Sequence, residues 1–230
     1  MQTLKFPWQP LTGSIKVTCA LARWDGSVIG LSEDGSQFTR VSPDSEWALV
    51  GDGERYKSVS QLTDGGLLYV GFDGLLYTLP SLWTGKPPAV TLTLIPGSGV
   101  VQAAVQMRNG TIVGLTNEGS LVIRGSLYSD WNSIPNSGTL KHFAVLADDT
   151  IVCVGMDSFL YVWCTLTNSW SKQPDSGFVI AVTECGNGDL LGVGTNGLLH
   201  KASRVTVGQS SADRMVRSVK VLSSTADVIN

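Results

Sequence analysis

Five turns, spaced almost evenly, limit what this chain can fold into. They lie at Asp25-Gly26, Asp64-Gly65, Asn109-Gly110, Asp148-Asp149 and Asn187-Gly188, at intervals of 39, 45, 39 and 39 residues. A second ruler runs independently of the first. Trp8, Trp47, Trp131 and Trp170 each stand 17 positions before Asp25, Asp64, Asp148 and Asn187. Between these marks the chain reads as short strands. TIVGL at residues 111–115 is followed by a turn at NEG and then by SLVIR. Apolar alternation bounded by Gly and Asn is a hairpin signal. A period near 40 residues holding several strands and no helical pattern predicts propeller blades.

One blade cannot bury both of its faces alone, so the repeat predicts a single closed domain. The expected fold is all-β: one β-propeller of antiparallel blades over residues 1–230, built of about six repeats of roughly 39 residues. The sixth comes from the tail. VRSVKVLSSTADVIN at residues 216–230 aligns with LKHFAVLADDTIVCV, placing Ser224 at the turn position, 37 residues after Asn187. The N-terminal strand at Trp8 would then close this last blade and leave no open edge. A regular unit has 22 residues from turn to Trp, whereas residues 225–230 and 1–8 supply 14. A five-bladed ring therefore stands as the alternative. The interval of 45 comes from an insertion, LPSLWTGKPPAV. It carries Trp83 and leaves Leu92 where the register expects a tryptophan.

Composition removes several function classes. A net charge of −3 gives no basic footprint for nucleic acid. No long apolar run or basic amphipathic helix suggests membrane insertion. The four cysteines form no C-x-x-C pair, and His142 and His200 are the only histidines, so neither a metal nor another cofactor is expected. MQTLKFPWQP lacks the signal-peptide pattern, which points to a cytoplasmic or non-classically secreted protein. No phosphate loop, calcium loop or G-x-S-x-G is present, and the reading is of a protein that is not an enzyme. His200 falls in the strand slot held by Phe38, Tyr77 and Tyr161, and Asp34, Asp73, Glu118 and Asp157 read as turn formers.

The repeated tryptophan carries the binding argument. A flat indole face stacks on the C–H face of a sugar ring, and repeated copies give avidity. The same residue could equally pack blade against blade, and both readings stay open. Asp25, Asp64, Asn109, Asp148 and Asn187 lie on the same face if each blade is a meander. There they either bond sugar hydroxyls or simply form turns.

The units follow the form V-x-x-V-x-V-L-x-D-G-T-I-V-G-V-G-x-D-G-x-L-Y…W-x-x-I-P-x-S-G over nearly the whole chain. In this they resemble the tectonin-type and tachylectin-type β-propeller lectins. That resemblance implies glycan recognition without catalysis. The expectation is thus a lectin with several shallow glycan sites at Trp8, Trp47, Trp131, Trp170 and the five turn residues. The alternative is a propeller scaffold for a protein partner, with the insertion at residues 80–94 and Trp83 as its patch.

Overall fold

In a computed structural model, the described residues are 3–4, 8–13, 15–50, 54–80, 92–99, 101–164, 169–202 and 204–205. They form five four-stranded antiparallel sheets and one two-stranded pair. The first blade is Cys19–Ala22, Val28–Leu31, Gln37–Arg40 and Ala48–Val50. The second is Tyr56–Gln61, Leu67–Gly71, Leu76–Leu79 and Thr93–Leu94. Val101–Gln106, Ile112–Thr116, Leu121–Arg124 and Asn132–Ser133 make the third, and Leu140–Val145, Ile151–Gly155, Leu160–Cys164 and Ser169–Lys172 the fourth. The fifth joins Val179–Glu184, Leu190–Gly194 and Leu199–Ala202 to Gln9–Pro10 from the N-terminus.

Blade stacking explains the sequence pattern. The second strands, VIGL, LLYVG and LLGVG, are buried at every residue because a neighbouring blade covers each face. Among the described residues the core is accordingly five clusters, one per junction. Ile29 and Leu31 meet Val59 and Tyr69; Val70 and Ile95 meet Ala104 and Ile112; Val113 and Leu115 meet Phe143 and Cys153. Val152 and Val154 meet Val182 and Leu190, and Ala181 and Val193 meet Val17 and Val28.

That last contact corrects the favoured blade count. The fifth blade packs directly on the first, so the ring closes at five. The N-terminal strand at Trp8 completes the fifth blade, with Gln9 opposite Lys201 and Pro10 opposite His200. Thr3–Leu4 also pairs with Arg204–Val205. The tail at residues 216–230, read as opening a sixth unit, lies outside the described residues, as does Trp83 in the insertion. The tail repeats the strand pattern, but blade number is set by when the interfaces close.

The turns between blades repeat in detail. IPGSG, IPNSG and QPDSG put Gly97, Asn136 and Asp175 at φ 65°, 58° and 59°, a region that Gly, Asn and Asp tolerate best. The following Ser98, Ser137 and Ser176 are buried. Their Oγ atoms accept the N–H of Leu76, Leu121 and Leu160 at 2.8, 2.9 and 2.9 Å.

Candidate binding site at the channel mouth

The four register tryptophans sit between blades, each half-buried. Trp131 packs in the junction of the second and third blades, Trp170 in the next, Trp8 in that of the fourth and fifth, and Trp47 in that of the fifth and first. The remaining junction holds Leu92, the residue at the vacated register position. The indole tips lie over glycines. A Cβ added at Gly30, Gly114 or Gly192 would come within 2.7, 2.8 and 2.8 Å of Trp47, Trp131 and Trp8. Nε1 of Trp131 donates to Ser98 O at 3.0 Å, and Nε1 of Trp8 to Ser176 O at 3.1 Å. The guanidinium carbons of the buried Arg40 and Arg124 lie 4.4 and 5.0 Å from the ring centroids of Trp47 and Trp131. In the fourth blade Trp163 takes the arginine's place and meets Trp170 edge-on at 4.7 Å.

The five predicted turn residues do lie together, on the loops joining first to second strands. Each closes its own turn through Oδ1. Asp25 accepts the N–H of Ser27 at 3.0 Å, Asp64 that of Gly66 at 2.8 Å and Asn109 that of Thr111 at 3.0 Å. Asp148 accepts that of Thr150 and Asn187 that of Asp189, both at 3.1 Å. These loops rim a cavity of about 700 Å³ along the ring axis.

The cavity is lined by the first strands of all five blades. His142 lines its wall. Its Nδ1 accepts the N–H of Val182 at 3.4 Å, which leaves the ring proton on Nε2, 4.0 Å from Cys19 Sγ. The imidazole thus bridges from the fourth blade to the first across the axis. Burial among these strands holds its pKa down at about 4, so the ring is neutral at physiological pH. Burial likewise pushes the Cys19 and Cys185 thiols up.

A belt of hydrogen bonds joins the blades at the rim, just inside the turns. Trp24 N–H donates to Gln61 Oε1 at 3.2 Å, Thr63 N–H to Gln106 Oε1 at 2.9 Å and Arg108 N–H to Asp149 Oδ1 at 3.1 Å. Ala147 N–H donates to Glu184 Oε2. In each case a turn hands its N–H to a side chain of the next blade. Above this belt the Trp24 side chain stands 65% exposed at the mouth, whose lining also includes the exposed Arg108 and Thr63.

Trp24 was absent from the expected site because it lies off the 17-residue register, inside a turn. Its signal was available in the sequence: a large aromatic preceding Asp-Gly has no strand to pack on. Gln61, Gln106 and Glu184 were also legible, each standing three residues before its turn.

No protein-family model and no curated protein matches the chain. Solved structures do. A Bacteroides thetaiotaomicron structural-genomics protein of unknown function is 10% identical with a TM-score of 0.63, over 89% of this chain and 76% of that one. The WD40 β-propeller domain of Doa1 is 15% identical with a TM-score of 0.51, over 89% and 99%. A symmetrical protein from work on de novo evolutionary emergence is 13% identical with a TM-score of 0.52, over 76% and 86%. At these identities the likeness establishes the fold alone. This chain is a five-bladed β-propeller.

Proposed function

We propose that this propeller is a non-enzymatic binding module that grips a segment of a partner protein at the mouth of its central channel. The observation that carries the reading is the division of labour among tryptophans. The four register indoles are engaged between blades, while Trp24 presents most of its surface at the rim of a cavity large enough for a side chain or a short loop. Tryptophan and arginine, both present on the lining of this mouth, are residue types that anchor protein interfaces. His142, with one nitrogen accepting a main-chain N–H and the other directed at a thiol, acts here as a strut across the axis.

Glycan recognition is the second reading. What favours it is the fivefold recurrence of Asp or Asn on the inner turns and the half-exposed edges of the four register tryptophans. The two readings separate in one screen. The purified chain and Trp24→Ala are applied to a glycan array and to a peptide-display library. Peptide ligands lost by on the order of tenfold or more in Trp24→Ala support the first reading. Glycan ligands retained by Trp24→Ala overturn it in favour of the lectin.

A further inference from the structure

The belt of rim hydrogen bonds has four members in a ring of five junctions. Where the fifth blade meets the first, the donor position is Gly186 N–H and the acceptor position is Ala22, whose methyl group can accept nothing. Among the described residues Gly186 N–H finds no partner, and the residue is exposed. The two glutamine junctions define what the place is shaped to hold. Gln61 and Gln106 accept the preceding turn's N–H through Oε1, and through Nε2 they donate to the carbonyls of Gly65 and Gly110 in their own turns, both at 3.5 Å. The matching carbonyl in the first blade belongs to Gly26, also exposed and without a partner among the described residues. Donor and acceptor for one carboxamide thus stand at this junction, without the carboxamide.

The backbone at Gly186 is open on its Cβ side. A Cβ added at Gly186 would meet nothing nearer than Trp24 O, at 3.9 Å. Cys185 packs in the same junction, and the exposed indole of Trp24 stands in the adjoining turn of the first blade. Charge selects among side chains of this shape. Asp25, Asp148, Asp149 and Glu184 outnumber Arg23 and Arg108 around the mouth, which disfavours a carboxylate and leaves its neutral amide counterpart.

We propose that this junction is a glutamine pocket. A glutamine side chain of the partner segment enters beside Trp24, accepts the N–H of Gly186, donates to the carbonyl of Gly26 and so completes the belt. The inference rests on the mouth-binding reading and deepens it by naming the side chain that is read.

The test uses N-acetylglutamine amide as probe, with N-acetylmethionine amide as the control that shares its length and caps but lacks the side-chain amide. Titration followed by amide NMR should move the Gly186 resonance saturably with the glutamine compound, at an affinity at least tenfold above the methionine compound. Ala22→Gln supplies the amide from within the chain and should weaken probe binding at least tenfold. It should also melt above Ala22→Met, which adds the same bulk without the amide. In the unmodified chain, bound probe should slow iodoacetamide labelling of Cys185 several-fold, a readout independent of any variant's folding. Equal response to both compounds, undiminished binding by a folded Ala22→Gln, or unprotected Cys185 would each overturn the pocket. Peptide binding that depends on Trp24 but ignores glutamine would overturn the pocket alone and leave the mouth reading standing.

Discussion

Nε1 of Trp8 donates to the main-chain carbonyl of Ser176 at 3.1 Å, across 168 residues of sequence. This bond ties the first described strands to the turn leading into the last blade, and it marks where the ring is stitched. Trp131 makes the same bond to Ser98 across 33 residues, entirely within the chain's local order. The two are one motif, and only the first has the task of closure.

Replacing Trp8 by alanine removes a large side chain from the junction of the fourth and fifth blades. Such deletions cost about 3–5 kcal/mol. For a chain of this size the melting temperature should fall by on the order of 10 °C. Removing residues 1–12 also bares the edge of Leu199–Ala202, so size-exclusion chromatography should reveal self-association. An unchanged melting temperature for Trp8→Ala would contradict the stitched ring.

Gly114→Ala places a methyl 2.8 Å from Trp131 and 3.0 Å from Val101. Overpacking of this kind costs about 1–3 kcal/mol. Gly125→Ala, whose nearest neighbour would be Ser129 Oγ at 3.7 Å, is the control and should stay within about 0.5 kcal/mol of the parent. Urea denaturation of the two variants checks the difference.

Ser137→Ala leaves the N–H of Leu121 without its acceptor in a buried turn. An orphaned buried donor costs about 1–3 kcal/mol, and the loss should appear as a lower urea midpoint at unchanged m. Ser126→Ala, at an exposed hydroxyl, should be nearly silent.

His142 sets a pH dependence. Its folded pKa of about 4 lies below the unfolded value of 6.5, so between these values the unfolded chain binds more protons than the folded one. Stability is therefore full above about pH 6.5 and declines as pH falls toward 4, by about 3 kcal/mol in all. His200, also pulled down by burial, acts in the same direction. Chemical denaturation at pH 7 and pH 5 should give a smaller difference for His142→Asn than for the parent. An identical pH slope would contradict the assignment of the strut.

Much of this fold was legible before any coordinates. The turn interval and the 17-residue tryptophan offset record blade length and the position of the fourth strand, both local properties. Even the exception was visible, since counting to Leu92 found the residue that fills the junction lacking a tryptophan. Blade number was not legible in the same way. It depends on the angle between packed sheets, which the strand pattern that residues 216–230 share with the blades does not encode. The setting of the indoles was hidden for a related reason. A repeated tryptophan looks alike in sequence whether its face meets solvent or a glycine of its own blade, and the closeness of Trp47, Trp131 and Trp8 to Gly30, Gly114 and Gly192 emerges only once the strands are paired. Trp24 went unremarked because a site built from differences among repeats is hidden by an alignment that seeks their likeness.

The most direct test of the central claim is isothermal titration of the full chain with a ligand recovered from the display screen, repeated on Trp24→Ala and Asn109→Ala. Binding at the channel mouth predicts one ligand per chain, binding abolished in Trp24→Ala and little changed in Asn109→Ala. Several equivalent ligands per chain, unaffected by Trp24→Ala and reduced stepwise by changes at the repeated turns, would contradict it and return the protein to a propeller with a site in every blade.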